Sequence, residues 1–477
     1  MRIDARYASV RRVAKALCFL CLAGQGAADA REPYASTYKV PDHPPVLIED
    51  ATLLTGTGAR IDGADIMLSD GMIDAVGIDL DGSKNGLIRI DGTGLWVTPG
   101  LIDVHSHLGN YPAPSVASTA DGNEITGPNT AHVWAEHSVW PQDPQFGLAR
   151  AGGVTALMIL PGSANLFGGR TVTLKNVPGR SVYDMKFPDA PHGLKVACGE
   201  NPKRVYGERL QAPMTRMGNV AGYRRAWIDA EAYRDSWRRY HEQLAIHEAA
   251  LEQDMEDDPP ASPQPPKRDL GLETLAGVLD GEIPVHIHCY RADEMLVMLD
   301  IAKEFNYEVS TFHHAVESYK IADHLAQEGV CSAVWADWWG FKLEAWDMVV
   351  ENAALIDKAG ACAIIHSDDP HDIQRLNQEA AKAMAAGQRR GMDIDEADAI
   401  RWITQKPAEA MGIDDVTGTL EAGKAADIVL WNTNPMSVYA RAEQVFIDGT
   451  LVYDRNEPSR ENLSDFDLGQ TYLGTRP

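Results

Sequence analysis

An apolar run of strand length ends in two histidines in the stretch Val97-Thr98-Pro99-Gly100-Leu101-Ile102-Asp103-Val104-His105-Ser106-His107. Side chains two residues apart on a strand point to the same face, so the imidazoles of His105 and His107 should leave the strand side by side. Imidazole is the commonest protein metal ligand near neutral pH. The spacing therefore predicts part of a metal site at the C-terminal end of a buried strand.

Four further apolar segments also run into residues that can bind a metal. They are residues 194–199, 283–287, 308–312 and 362–367, and they lead to Glu200, His288, His313-His314 and Asp368-Asp369. A core strand rarely ends in such groups without a reason, because burying them unpaired is costly. In a barrel of parallel strands the C-terminal ends meet at one mouth, so the pattern predicts one shared site there.

The order of strand and helix patterns indicates the fold class. The middle of the chain contains eight strand patterns that mostly alternate with helical ones, namely 101–105, 153–160, 170–175, 194–199, 284–288, 309–313, 332–337 and 361–366. This α/β order predicts a TIM-type (β/α)8 barrel over residues 99–412. Short β patterns with turn signals on both sides predict a small β-sandwich formed by both chain ends, residues 40–98 and 413–460. A charged, helix-favouring and then proline-rich insertion at 227–266 is either a lid or a surface excursion.

The N-terminus and the composition point to an exported protein. Residues 1–30 combine basic residues, a short apolar stretch and a small-residue cleavage site, which predicts a secretory signal peptide and a periplasmic location. The apolar stretch is too short to act as a membrane anchor. A formal net charge of −26 disfavours nucleic acid and anionic membranes as partners. A small-molecule or peptide-like substrate is the partner expected, and homo-oligomerisation is left open.

The cysteine pattern does not suggest a disulfide scaffold. Cys18 and Cys21 fall in the predicted signal peptide, and the other four cysteines lie in or beside predicted core strands: Cys198, Cys289, Cys331 and Cys362. Disulfide-rich secreted domains carry dense cysteines instead. We therefore predict that these four are small hydrophobic core residues.

Taken together, the motifs resemble those of the amidohydrolase superfamily, in particular a secreted imidazolonepropionase-like or prolidase-like branch. The resemblance covers nearly everything after residue 45 and is carried by Pro99–His107 and by the blocks GENPKR at 199–204, HIHCYRADE at 286–294, ADWWGFK at 336–342 and TGTLEAGKAADIVLW at 417–431. It implies two divalent metal ions, zinc or alternatively manganese or iron. It also implies ligand roles for specific residues.

In that resemblance His105 and His107 hold one ion, and His288 and His314 hold the other. Asp368 binds the first ion and exchanges protons with the attacking water and the leaving nitrogen. Apart from the resemblance, Arg204 and Arg291 could clamp a substrate carboxylate or form structural salt bridges, and Tyr290 is a further candidate substrate contact.

Several ligand choices have a rival close in sequence. His286 shares a strand face with His288, and His313 lies beside His314 on the opposite face; the resemblance favours His288 and His314. His366 and Asp369 are the rivals of Asp368.

The ligand that bridges the two ions has two candidates on the fourth strand of the predicted barrel. Many superfamily members carry a carboxylated lysine there, and Lys195 is the lysine of this strand. Glu200 lies five residues nearer the mouth, roughly 16 Å along an extended strand, and is therefore predicted as the bridge.

The predicted activity is hydrolysis of a C–N bond in an amide, cyclic amide or peptide-like molecule by a metal-activated water. The alternatives are an Xaa-Pro-type dipeptidase, a mononuclear deaminase and a non-catalytic binding protein of the same fold. A non-catalytic descendant should have lost ligands, whereas this chain keeps a candidate at every expected strand.

Overall fold

The computed structural model describes residues 34–252 and 261–457, so the predicted signal peptide lies outside the described residues. The strands are β1 Val46–Leu54, β2 Arg60–Ser69, β3 Met72–Gly77, β4 Ile88–Asp91, β5 Trp96–Pro99, β6 Leu101–Ser106, β7 Val154–Ile159, β8 Phe167–Arg170, β9 Val172–Lys175, β10 Leu194–Ala197, β11 Val285–His288, β12 Val309–His313, β13 Cys331–Val334, β14 Cys362–Ile365, β15 Ile428–Trp431, β16 Ala442–Ile447 and β17 Thr450–Asp454. The α-helices are α1 Pro144–Ala151, α2 Glu200–Gly207, α3 Arg216–Glu252, α4 Leu270–Leu279, α5 Ala292–Phe305, α6 Ala322–Glu328, α7 Asn352–Lys358, α8 Leu376–Arg389, α9 Glu396–Arg401 and α10 Gln405–Met411. Within these ranges, no helix has the length and apolarity needed to cross a membrane.

Both ends of the described chain contribute strands to one eight-stranded sheet. Its order is β17-β16-β15-β5-β1-β2-β3, with β4 beside β1. The join between the two ends is the antiparallel pair β15–β5, in which Trp431 lies opposite Trp96. One face of this sheet buries Ile48, Val97 and Phe446 in a cluster of its own.

The central strands form two further sheets. Strands β10 to β14 are parallel neighbours in sequence order, with β8 antiparallel to β10, whereas β6, β7 and β9 form a separate three-stranded sheet. The predicted strand 170–175 is two short strands, β8 and β9, that join different sheets. Among the described residues, the hydrogen-bonded strands therefore do not form one continuous ring, and closure of the barrel stays a prediction.

The parallel strands are covered by helices. All residues of β6, β7, β10 and β11 are buried, as expected for strands with both faces covered. Helix α5 connects β11 to β12 and buries Met295, Met298 and Ile301 in the large hydrophobic core. The helical part of the predicted insertion belongs to α3, which begins at Arg216 and packs Trp227 on Tyr307 with ring centroids 4.5 Å apart.

The four cysteines predicted to be small hydrophobic core residues instead form two disulfide bonds. Cys198 bonds to Cys289, and Cys331 bonds to Cys362. Cys331 and Cys362 are direct register partners on β13 and β14. Cys198 and Cys289 each follow the last residue of the neighbouring strands β10 and β11. Cysteine density along the chain could not reveal this, because both bonds depend on which strands become neighbours in the sheet.

Candidate metal and catalytic site

Five of the predicted site residues converge at the C-terminal ends of the central strands. His105 lies on β6, His107 just beyond it, and His288 ends β11, while His314 and Asp368 follow β12 and β14. Ring centroids are 5.1 Å apart for His105 and His107, 4.4 Å for His105 and His314, and 4.8 Å for His288 and His314. The histidines therefore form one compact cluster, with the carboxylate of Asp368 at its edge.

Asp368 is held where its side chain faces three of these imidazoles. Its Oδ1 lies 3.2 Å from Nε2 of His107 and 3.5 Å from Nε2 of His105, and its Oδ2 lies 3.7 Å from Nδ1 of His314. Asp368 and His314 both have a positive φ, 57° and 56°, which is uncommon for residues with a side chain. Such conformations cost free energy and cluster at functional sites.

A buried aspartate that the sequence analysis passed over fixes the loop that carries Asp368. The Oδ1 of Asp103 accepts hydrogen bonds from the backbone N–H groups of His105 and Ser367, at 3.1 and 3.2 Å, and its Oδ2 accepts one from the Ser367 hydroxyl. One carboxylate thus joins the first and last strands that contribute to the cluster. A charged residue inside an apolar strand was the available signal for Asp103.

The structure places Lys195 beside the histidine cluster, whereas Glu200, the predicted bridging ligand, lies outside it. Lys195 is fully buried, and its Nζ lies 3.3 Å from Nε2 of His105. Burial lowers the pKa of Lys195 to about 7. Glu200 begins α2, where its Oε1 lies 3.5 Å from Nζ of Lys342 and its side chain is 30% exposed. Glu200 is not brought into the histidine cluster.

The reason lies in the local path of the chain. Strand β10 ends at Ala197, and Gly199 has a φ of 77°, which turns the backbone into α2. A distance counted along an extended strand therefore does not apply to Glu200. The long side chain of Lys195 meanwhile extends to the cluster from within the strand.

His366, considered only as a rival of Asp368, lies inside the cluster. Its ring centroid is 4.8 Å from that of His314 and 5.4 Å from that of His105. In the described part of the chain, possible ligand atoms lie within 4.8 Å of one another in two groups, which are His105-His314-His366 and His105-His107-Asp368. Asp369 instead accepts backbone hydrogen bonds from His371 and Asp372 in its own loop.

The donor set fits a divalent metal ion. Nδ1 of His288, Nδ1 of His314 and both ring nitrogens of His366 are buried and have no hydrogen-bond partner among the described residues. Burial lowers the pKa of His288 and His314 well below the usual range and that of His366 to about 3. The imidazoles are therefore neutral at physiological pH, which is the form that binds metal. Nitrogen donors combined with a carboxylate suit zinc and other first-row divalent ions.

A wall of aromatic side chains leads from the cluster to the surface. Trp335 stacks on His314 with ring centroids 4.6 Å apart, and Trp338 and Phe341 contact Trp335 at 4.6 and 5.9 Å. Trp338 and Phe341 are 39% and 48% exposed. Tyr290, a predicted substrate contact, is buried beside the same wall, 6.3 Å from Phe341.

Unlike Tyr290, the two arginines predicted to contact substrate are not found beside the aromatic wall. Arg291 is ion-paired with Asp293 at 2.9 Å on the surface, and Arg204 is exposed on α2. Lys342 lies over Tyr290, with its Nζ 4.3 Å from the centre of the ring. Lys342 also donates a hydrogen bond to Oδ1 of Asn201 at 2.9 Å.

The rival histidines His286 and His313 are buried behind the cluster. Nδ1 of His313 lies 2.8 Å from Nδ1 of His105, and Nε2 of His313 lies 3.1 Å from Nδ1 of His286. Neither residue is among the grouped ligand atoms. The structure therefore places them as neighbours of a candidate ligand.

Comparison with known proteins identifies the family. The family model described as "Amidohydrolase family" matches residues 280–452, a region that includes His288, His314 and Asp368. The chain is 31% identical over 409 residues to amidohydrolase tasK of Hapsidospora irregularis, which covers 82% of this chain but only 40% of that protein. It is 23% identical over 375 residues to an imidazolonepropionase of Mesorhizobium japonicum, covering 73% of this chain and 80% of the relative.

A solved structure extends the likeness to the fold. The crystal structure of an amidohydrolase from Thermotoga maritima is similar with a TM-score of 0.71 and 34% sequence identity. The match covers 86% of this chain and the whole of the Thermotoga chain. Sequence identity at this level over a complete relative, together with the family-model match, shows that this chain belongs to the amidohydrolase family.

Proposed function

We propose that this protein is an exported, metal-dependent hydrolase that cleaves a C–N bond in an amide, cyclic amide or peptide-like molecule. The observation that carries the proposal is the convergence of His105, His107, His288, His314 and Asp368 at the C-terminal ends of strands from two sheets. Membership in the amidohydrolase family agrees with it. Bound divalent ions would supply Lewis acidity, which lowers the pKa of water toward about 7 and polarises a carbonyl group.

The proximity of the donor atoms indicates which residues would bind each ion. His105, His107 and Asp368 would hold one ion, and His288 and His314 a second ion, with His366 close to both sets. Lys195 is the residue best placed to bridge them, because its Nζ contacts the ligand His105 and its buried amine is readily neutral. A neutral amine can add to carbon dioxide, which forms an N–C bond, releases one proton and leaves a carbamate anion. That anion would reduce the repulsion between two cations.

Asp368 is the acid–base residue of this proposal. Its carboxylate lies at the edge of the cluster, where the side chain is 20% exposed and reachable by water. It would accept a proton from the attacking water and then donate it to the leaving nitrogen. The loop fixed by Asp103 and Ser367 keeps the carboxylate in place through both steps.

The aromatic wall would bind the substrate. Trp338 and Phe341 offer a flat apolar surface that leads to His314 through Trp335. Tyr290 and Lys342 lie on the side nearest Glu200, where a polar or anionic part of the substrate could be held. The wall favours amides with a planar or apolar substituent over small polar ones.

Export is supported by the two disulfides and by the predicted signal peptide. Disulfides form and persist in oxidising compartments such as the periplasm. N-terminal sequencing of the protein from its native host should find a mature chain that begins at Arg31. An intact Met1 on the folded, disulfide-bonded enzyme would contradict export through this signal.

The activity can be tested with a substrate library. The zinc- or manganese-loaded protein would be incubated with dipeptides (including Xaa-Pro), N-acyl amino acids, lactams and deaminase substrates, and products identified by mass spectrometry. We expect hydrolysis of an amide bond, faster for aromatic than for small side chains, and no turnover by the Asp368→Asn variant. Release of ammonia alone would indicate a deaminase, and no turnover of any class by the folded, metal-loaded protein would contradict the proposal.

A further inference from the structure

Three buried histidines form a hydrogen-bonded series that begins at one candidate ligand. His105, His313 and His286 each have no exposed surface. Nδ1 of His105 lies 2.8 Å from Nδ1 of His313, and Nε2 of His313 lies 3.1 Å from Nδ1 of His286. Both distances are those of N–H···N hydrogen bonds between neighbouring rings.

The nitrogen of His105 that would bind the metal determines where the proton lies on each ring of this series. Nε2 is the nitrogen of His105 that faces the site, since it lies 3.5 Å from Oδ1 of Asp368 and 3.3 Å from Nζ of Lys195. A metal bound through Nε2 needs that nitrogen's lone pair. The single proton of a neutral His105 must then be on Nδ1, which donates to His313.

The protons of His313 and His286 are then fixed in turn. Nδ1 of His313 is occupied as an acceptor, so the proton of a neutral His313 is on Nε2 and is donated to Nδ1 of His286. The proton of His286 is then on its Nε2, which is buried without a hydrogen-bond partner in the described part of the chain. When all three rings are neutral and a metal ion is bound to Nε2 of His105, both hydrogen bonds form only if His105 donates to His313 and His313 donates to His286.

The neighbouring ligand His107 provides a comparison within the same motif. Its Nδ1 lies 2.9 Å from the backbone carbonyl oxygen of Leu160, which can only accept a hydrogen bond. The tautomer of His107 is therefore set by the main chain. For His105 the equivalent acceptor is a side chain, so it can be removed by mutation.

We propose that His313 and His286 are positioning residues that set the tautomer of His105 and direct its Nε2 lone pair to the metal ion. This inference rests on the proposed function, because it requires a metal at His105. Outer partners of this kind typically change metal affinity by 10- to 100-fold when they are lost. His313 should have the larger effect, since His286 acts only through it.

Substitutions at the two positions separate this role from a packing role. His313→Leu removes the acceptor, His313→Asn keeps an amide oxygen near the position of Nδ1, and His286→Leu removes the second partner. His324→Leu, an exposed histidine on α6, is the control. Zinc affinity would be measured by competition with a chromophoric chelator, and the melting temperature of each metal-free variant would report folding.

We expect His313→Leu to bind zinc about 10- to 100-fold more weakly, His313→Asn to recover most of that loss, and His324→Leu to match the unmodified protein. Folded His313→Leu with unchanged zinc affinity would overturn the proposal and leave the proposed function intact. Absence of zinc binding by the unmodified protein would instead contradict the proposed function.

If His313→Leu does not fold, the tautomer of His105 can be measured directly by NMR. In the zinc-loaded, 15N-histidine-labelled protein, NMR distinguishes Nδ1–H from Nε2–H tautomers, and His105 would be assigned by comparison with the His105→Gln spectrum. The proposal requires Nδ1–H on His105 and Nε2–H on His313. An Nε2–H tautomer at His105 would overturn it.

Discussion

The Nζ atom of Lys195 lies 3.3 Å from Nε2 of His105, and the lysine is fully buried on β10, beside the strand β11 that ends in His288. Glu200, although five residues further along the chain toward the predicted mouth, is paired with Lys342 outside the cluster. This arrangement predicts that Lys195→Met lowers the metal content from about two ions per chain toward one and nearly abolishes turnover. Elemental analysis of the purified variants measures the metal content directly.

Glu200→Gln is the matched comparison for that prediction. It removes a carboxylate charge from the same segment, yet it should retain the metal content of the unmodified protein, because the carboxylate contacts Lys342 rather than the histidines. Full metal content in Lys195→Met together with metal loss in Glu200→Gln would show that Glu200 is the bridging ligand.

The disulfides should contribute measurably to stability. Cys331 and Cys362 are 31 residues apart, and closing a loop of that length typically stabilises a protein by about 3–4 kcal/mol through the unfolded state. The Cys331→Ala/Cys362→Ala double variant should therefore unfold at lower urea concentration in oxidising buffer. In reductant the two proteins should differ little, and equal urea midpoints in oxidising buffer would contradict a formed bond.

Glu294 should make stability depend on pH. Burial, followed by the nearby charge of Glu344, raises its pKa from 4.5 to about 7. A carboxyl group with a raised pKa binds its proton more tightly in the folded state, so its contribution favours folding at low pH and is lost as pH rises from about 4.5 to 7. Glu294→Gln should therefore raise the melting temperature at pH 8 and have little effect near pH 5.

Melting curves recorded across that pH range for Glu294→Gln and for a surface control, Glu308→Gln, measure this effect. A stabilisation by Glu294→Gln that is the same at pH 5 and pH 8 would mean that ionisation of Glu294 is not its cause.

The sequence predicted which candidate ligands come together better than it predicted their surroundings. The spacing of His105 and His107 and the apolar run before each strand end are local patterns, and the structure brings those residues together. The disulfides and the contact between Lys195 and His105 depend on strand neighbours and on the turn at Gly199, which periodicity does not report. The hydrogen bond between His313 and His105 likewise depends on the packing of strands that are far apart in sequence.

Reversible metal removal tests the central claim most directly. Hydrolysis of a substrate found in the library would be followed before chelation, after prolonged chelation and dialysis, and after readdition of zinc or manganese. With His105, His107, His288, His314 and Asp368 as ligands, activity should be lost with the metal and return with it. Activity that survives removal of all bound metal, verified by elemental analysis, would contradict the account.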